Sequence, residues 1–270
     1  MASAATLVGD CKLMIQPRVL VLRAPGANCD RESAFAFERA GAIAERVHVY
    51  RLLERPDLLA DYQILCIPGG FSYGDDLGAG RILGSQIQHH LCGALREFRD
   101  AGKLLLGICN GFQILIKSGM LLDDDAQGRP AATLTNNDSG KFEDRWIELR
   151  TTSRKCVFFN GIESMYLPVA HAEGKFVPRD AATLAALEAA GQLALRYRPR
   201  GGGEAGYPDN PNGSVGAVAG VCDTTGRVCG LMPHPERHID PTQHPRWSRG
   251  PLAREGDGLQ VFRNAVRFFA

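Results

Sequence analysis

The first half of the chain alternates short, unbroken apolar runs with longer stretches whose apolar residues recur at helical spacing. RVLVL at 18–22, QILCIP at 63–68 and LLLGI at 104–108 show no polar alternation, which predicts strands buried on both faces. AERVHVY at 44–50 adds another strand. Between them, RESAFAFERA at 31–40, closed by Gly41, LLERPDLLADY at 52–62 and RILGSQIQHHLCGALREFRDAG at 81–102 predict helical segments, the last a single long helix. Strands alternating with helices imply β-α-β units, and so an α/β fold with an open, doubly wound, mostly parallel sheet. Ligands of such sheets bind beyond the carboxyl ends of the strands, where the loops beginning at Pro25, Gly69 and Cys109 emerge.

The second half changes rhythm. DRWIELR at 144–150, CVFFN at 156–160, MYLPVAHAEGKFV at 165–177, LALRYRP at 193–199, SVGAVAGVCD at 214–223 and VCGLMPHPER at 228–237 predict shorter strands, hence an antiparallel extension of the sheet. GLQVFRNAVRFF at 258–269 closes the chain as an amphipathic helix, and the Gly- and Pro-rich stretch around 199–206 reads as an inserted loop. Residues 1–16 are small and mixed and read as an extension; 17–270 read as one domain, with no repeat and no long linker.

Composition narrows the function. With 270 residues, 44% of them hydrophobic, and a net charge of +1, nothing marks a nucleic-acid or membrane-surface binder. No apolar run approaches the roughly 20 residues of a membrane span, and no signal peptide opens the chain. The eight cysteines form no C-x-x-C pair and lie in apolar segments, which points to free thiols in the cytoplasm rather than a disulfide framework or a metal cage.

One cysteine stands where a buried strand becomes a helix. In LLLGICNGFQIL, Gly107 and Gly111 flank Cys109 as G-x-C-x-G, the thiol version of a nucleophile elbow, where any larger flanking side chain would clash with the tight turn. A helix N-terminus there favours thiolate over thiol. The matching base is His234 in LMPHPER, with Glu236 spaced to hold its imidazole from the same side of an extended segment. Oxyanion donors are expected from the backbone N–H of Asn110, after the nucleophile, and of Gly70 in the loop IPGGFSYGDD. Cys109 alone is expected to combine a helix N-terminus with a base. His89, His90 and His244 read as solvated surface residues, while His171 and Glu173 in HAEGKF fit either a partner interface or the rim of the site.

PGG, GICNGFQIL and PHPER, in that order, resemble the class I, or triad, glutamine amidotransferases, whose flavodoxin-like glutaminase domain uses Cys, His and Glu. APGANCDRE, GGFSYGDDLGAG, NNDSGKFEDRW, HAEGKF, NPNGSVGAVAGVCD and MPHPER resemble, more narrowly, the glutaminase component of phosphoribosylformylglycinamidine synthase, over about Arg18 to Ala270. The resemblance implies Cys109 as nucleophile, His234 as general base and acid, and Glu236 as the orienting carboxylate. It also implies glutamine binding by Gln113 and by a strip holding Asn137, Ser139, Gly140 and Phe142. The implied reaction hydrolyses glutamine to glutamate and ammonia. An ATP-dependent, PurL-like synthetase would use that ammonia to convert formylglycinamide ribonucleotide to formylglycinamidine ribonucleotide, with a small PurS-like subunit completing the complex. ATP and Mg would belong to the synthetase and no cofactor to this chain, which lacks a G-x-x-x-x-G-K-[ST] loop. The family pattern is not matched at 81–90. Two other readings are a DJ-1-like cysteine hydrolase or chaperone, disfavoured by the late HPE and by Gln113, and a non-catalytic scaffold, disfavoured by the complete Cys-His-Glu set.

Overall fold

The computed structural model describes residues 16–270, so the expected extension, apart from Gln16, and Cys11 lie outside the described residues. Its strands are β1 (Arg18–Arg23), β2 (Ile43–His48), β3 (Ile64–Ile67), β4 (Leu104–Ile108), β5 (Ala132–Thr135), β6 (Glu143–Thr151), β7 (Ser164–His171), β8 (Lys175–Pro178), β9 (Leu193–Tyr197), β10 (Val218–Cys222) and β11 (Val228–Leu231). Its α-helices are α1 (Asp30–Arg39), α2 (Val49–Glu54), α3 (Arg81–Gln86), α4 (Cys92–Asp100), α5 (Asn110–Lys117), α6 (Ala181–Ala189) and α7 (Leu259–Arg267).

Nine strands form one sheet in the order β2-β1-β3-β4-β11-β10-β9-β6-β7, and β5 pairs with β8 in a separate ribbon. The half from β2 to β11 is parallel; from β11 onward every pairing is antiparallel, which is the extension expected from the second half of the chain. All five residues of β4 are buried, as its unbroken apolar run requires of a strand covered on both faces. Helices α1 and α7 pack together, Phe37 meeting Phe262 edge to face at 4.9 Å.

Several expected elements differ. The long helix over 81–102 is two helices separated by a π turn at Ile87–Leu91, where His89 and His90 face solvent. The wider turn offsets the drift of an α-helix along the four-residue spacing of Leu83, Ile87, Leu91 and Leu95, all of them buried. CVFFN is a single 3₁₀ turn at Val157–Phe159 rather than a strand, with Phe158 and Phe159 both buried. The Asn264 amide donates to the carbonyls of Phe158 and Asn160 and takes the place of a ladder. The expected strand 165–177 breaks at 172–174, so that β7 stays in the large sheet and β8 leaves for β5. The 199–206 loop lines a cavity of about 600 Å³ with Arg150, Arg196 and Arg198. His244 is half-buried, its ring packed against Trp146 at 4.5 Å.

Candidate active site

Cys109 occupies the junction of β4 and α5 with φ 52° and ψ −106°, a backbone conformation that costs a non-glycine residue energy and persists only where its surroundings enforce it. The enforcement is visible on both flanks. A Cβ on Gly111 would lie 1.9 Å from the Ile67 carbonyl oxygen, and one on Gly107 would lie 2.6 Å from the Gly111 carbonyl oxygen. The Cys109 N–H donates to the Leu231 carbonyl at 2.7 Å, tying the elbow to β11.

That bond brings in the chain that follows β11. His234 and Glu236 are each 1% exposed, and Nδ1 of His234 lies 2.6 Å from Oε1 of Glu236. The segment is not extended, as its spacing suggests, but a 3₁₀ turn over Pro235–Arg237 entered from His234. The turn folds Glu236 back beneath the ring, and the His234 N–H donates to the Pro168 carbonyl of β7 at 2.9 Å. Nε2 of His234 is buried and without a partner among the described residues. The Cys109 thiol turns to the Ala170 carbonyl of β7 at 3.7 Å. Burial alone would lower the pKa of His234, but the Glu236 carboxylate, with Cys109 and Cys29 beside it, raises it well above the ordinary histidine range.

The N–H groups of Gly70 and Asn110 donate to no acceptor among the described residues. Gly70 has φ 137°, and a Cβ there would lie 2.5 Å from the Asn28 nitrogen, so the loop 24–29 holds it closely from behind. Two further bonds clamp the same loops: Phe71 N–H to the Gly26 carbonyl at 2.9 Å and Tyr73 N–H to the Pro25 carbonyl at 2.7 Å. The Asn110 side chain donates to Asp75 at 3.1 Å and to Oε1 of the Gln113 side chain at 3.0 Å.

The residues expected to bind glutamine divide. Gln113 is buried beside the elbow, with its amide nitrogen donating to the Glu173 carbonyl. Asn137 is buried and fully engaged: its amide donates to the carbonyls of Lys141 and His171, and its oxygen accepts from Gly174 N–H and His171 Nδ1. Ser139 is exposed and accepts from Lys141 N–H. Phe142 is 49% exposed, with its ring 6.3 Å from that of Phe71. Asn137 thus braces the bend after β7, leaving its amide no free capacity for a ligand.

Of His171 and Glu173, left open by the sequence, His171 is buried and Glu173 is half-buried. Burial, with His234 nearby, pushes the pKa of His171 down to about 3, so its ring stays neutral. The Glu173 carboxylate accepts from Ala79 N–H at 3.2 Å and joins the glycine-rich loop to the bend after β7. Sequence reasoning missed Cys29 and Arg237. Cys29 precedes the first turn of α1, and the Arg237 guanidinium donates to its sulfur at 2.9 Å. A second thiol therefore stands at a helix N-terminus of its own, that of α1, and borders the same imidazole as Cys109. Ligand atoms of Cys29, His234 and Glu236 lie within 4.8 Å of one another, close enough to hold a metal ion. The His234–Glu236 hydrogen bond already occupies Nδ1, which suits this cluster better to proton transfer.

The elbow, the buried imidazole–carboxylate pair and the free N–H groups match the outcome of three comparisons. Residues 16–269 match the family model of the CobB/CobQ-like glutamine amidotransferase domain. Phosphoribosylformylglycinamidine synthase subunit PurQ of Dehalococcoides mccartyi is 45% identical over 259 residues, covering 94% of this chain and 98% of the relative. The chain belongs to the PurQ family of glutamine amidotransferases. A PurQ subunit of Methanococcus maripaludis is 39% identical over 270 residues, covering 95% of this chain and 99% of the relative. Among solved structures, PurLQS of Thermotoga maritima contains a chain that superposes with a TM-score of 0.71 at 32% identity, covering 95% of this chain and all of that one. Among the described residues no helix is long and apolar enough to cross a membrane.

Proposed function

We propose that this chain is the glutaminase subunit of phosphoribosylformylglycinamidine synthase, supplying ammonia to a PurL-like synthetase with a small PurS-like subunit in de novo purine biosynthesis. The observation that carries the reading is the strained elbow: Cys109 is held at φ 52° beside a buried His234–Glu236 pair, in a chain of the PurQ family. Strain of this kind survives where function needs it.

Cys109 attacks the side-chain carbonyl of glutamine as thiolate, with His234 holding the proton as imidazolium and Glu236 stabilising that charge. The N–H groups of Gly70 and Asn110 receive the oxyanion. His234 then protonates the departing amine and activates water against the γ-glutamyl thioester, releasing glutamate. Gln113 and the strip at Asn137, Ser139 and Phe142 act on glutamine chiefly through the backbone they position, since the Gln113 and Asn137 amides are already engaged. ATP and Mg are drawn on by the synthetase, and this chain needs no cofactor of its own. We place the work in the cytoplasm, a reading supported by seven free cysteines among the described residues.

The test is Cys109→Ala in the assembled complex. Glutamine-dependent formation of formylglycinamidine ribonucleotide is lost, while synthesis driven by added ammonium salt continues. A folded, assembled variant that loses both activities, or keeps both, refutes the reading.

A further inference from the structure

We propose that Cys29 is a second oxidisable thiol of the site, placed to close a disulfide with Cys109 after a hydroperoxide has oxidised the nucleophile. The placement is defined by Gly69. A Cβ built on that residue would lie 2.8 Å from Cε1 of His234, 3.3 Å from the sulfur of Cys29 and 3.4 Å from Cβ of Cys109. One small volume, kept empty by a glycine, thus borders the imidazole and both cysteines. The Cys29 sulfur is separated from the Cys109 Cβ by no more than the sum of the last two distances.

The surroundings of the two thiols differ in ways that assign their parts. Cys109 sits at the mouth of α5, 5% exposed, in an elbow locked by Gly107 and Gly111, and it is the thiol that reaches a small solute first. Cys29 is 1% exposed and cannot be the first site of attack, but an intramolecular reaction does not need it to be open to solvent. Its sulfur is held by Arg237 at 2.9 Å, and a guanidinium there stabilises the negative charge of an attacking sulfur. Cys66, Cys156 and Cys229 are buried, and burial raises each of their thiols above the usual range, which keeps them out of this chemistry.

The chemistry balances in two steps. The Cys109 thiolate takes the distal oxygen of the hydroperoxide: an S–O bond forms, the O–O bond breaks, and water or an alcohol leaves. The sulfur is now a sulfenic acid, oxidised by two electrons. The Cys29 sulfur then attacks that of Cys109: the S–S bond forms, the S–O bond breaks, and hydroxide leaves with the proton of Cys29 as water. The nucleophile is now blocked. The Gly69–Gly70 loop is caught as well, because Cys29 N–H donates to the Gly69 carbonyl at 3.2 Å and moves with its side chain. A thiol reductant reverses the bond, whereas a sulfenic acid with no neighbouring thiol proceeds to the irreversible sulfinic acid.

Hydrogen peroxide added to the purified full chain, followed by peptide mapping and intact mass, tests this. The expected product is a Cys29–Cys109 cross-linked peptide and a mass lower by two hydrogens. Dithiothreitol then restores both the mass and, in the assembled complex, glutamine-dependent synthesis. Cys29→Ala and Cys29→Ser form no cross-link, gain oxygen at Cys109, and lose their remaining activity irreversibly. Absence of the cross-linked peptide in the oxidised wild-type chain, or equal recovery of wild type and Cys29 variants, overturns the proposal. The effect on activity rests on the glutaminase reading, but the mass measurement does not, so the two fail separately.

Discussion

Replacing Glu236 by glutamine isolates the carboxylate from its shape. Oε1 of Glu236 meets Nδ1 of His234 at 2.6 Å, the two side chains are no more than 2% exposed, and Oε2 is buried without a partner among the described residues. A glutamine amide can fill this space in two ways. With its oxygen toward Nδ1, the –NH₂ takes the place of Oε2 as a buried donor lacking an acceptor, costing about 1–3 kcal/mol of stability. With –NH₂ toward Nδ1, the imidazole is forced to carry its proton on Nε2, the atom that must accept from the thiol. The second arrangement disables the base, and in a Ser-His-Asp enzyme the equivalent change lowers kcat by about 10⁴-fold. A fall on the order of 10³- to 10⁴-fold is therefore expected, measured as glutamate release by the complex, with ammonium-driven synthesis intact. The pH profile carries a second signature. Glu236 raises the pKa of His234 against a burial effect that lowers it, so its loss moves the imidazole titration to lower pH. An unchanged kcat, or an imidazole titration that moves upward, would refute the assignment of Glu236 as the orienting charge.

Gly111→Ala places a carbon 1.9 Å from the Ile67 carbonyl oxygen and pushes the start of α5 outward by more than about 1 Å, so kcat is expected to fall by about 10²-fold, and unaltered glutamate release would count against the elbow. His171 has a folded pKa of about 3 against an ordinary value of about 6.5, so its contribution to stability is complete above about pH 6.5 and drains away as pH falls toward 3, at up to about 1.4 kcal/mol per pH unit. Urea unfolding at a series of pH values reads that slope, and His171→Gln should flatten it; a variant with the wild-type slope would place the titration elsewhere. Asn264→Ala removes the donor to the Phe158 and Asn160 carbonyls and is expected to cost about 1–3 kcal/mol, seen as a lower midpoint in the same urea experiment with the slope against denaturant unchanged.

How far the sequence could be read depends on how local the physics is. The runs of β1, β3 and β4 announce themselves because a strand buried on both faces must be apolar at every position. Helix α6 does not: AATLAALEA is small and apolar nearly all round, so it has no polar stripe to reveal its period, and its clearest mark is Asp180, whose side chain accepts from Thr183 N–H at 2.7 Å. The π turn at Ile87–Leu91 adds one residue to a helical turn, a change too small to show against an apolar spacing that already varies between three and four. β5 spans four residues and is stabilised by β8, a strand formed only because the chain bends away at 172–174.

The same distinction runs through the site. G-x-C-x-G is legible because both glycines are demanded within two residues of the cysteine, and H-P-E because imidazole and carboxylate meet across a single turn. Cys29 is legible in neither way. Its contact with Arg237 spans 208 residues and joins the chain after β1 to the chain after β11, two strands that lie in one parallel run with β3 and β4 between them. Parallel order brings the loops after all four strands to the same edge, where residues distant in the chain can meet. Asn137 misleads for the complementary reason: its motif marks a conspicuous place, but four hydrogen bonds to His171, Lys141 and Gly174 make it the brace of that place. A motif identifies which residues share a site; whether a side chain in it has capacity left for a substrate depends on the hydrogen bonds that only the folded chain provides.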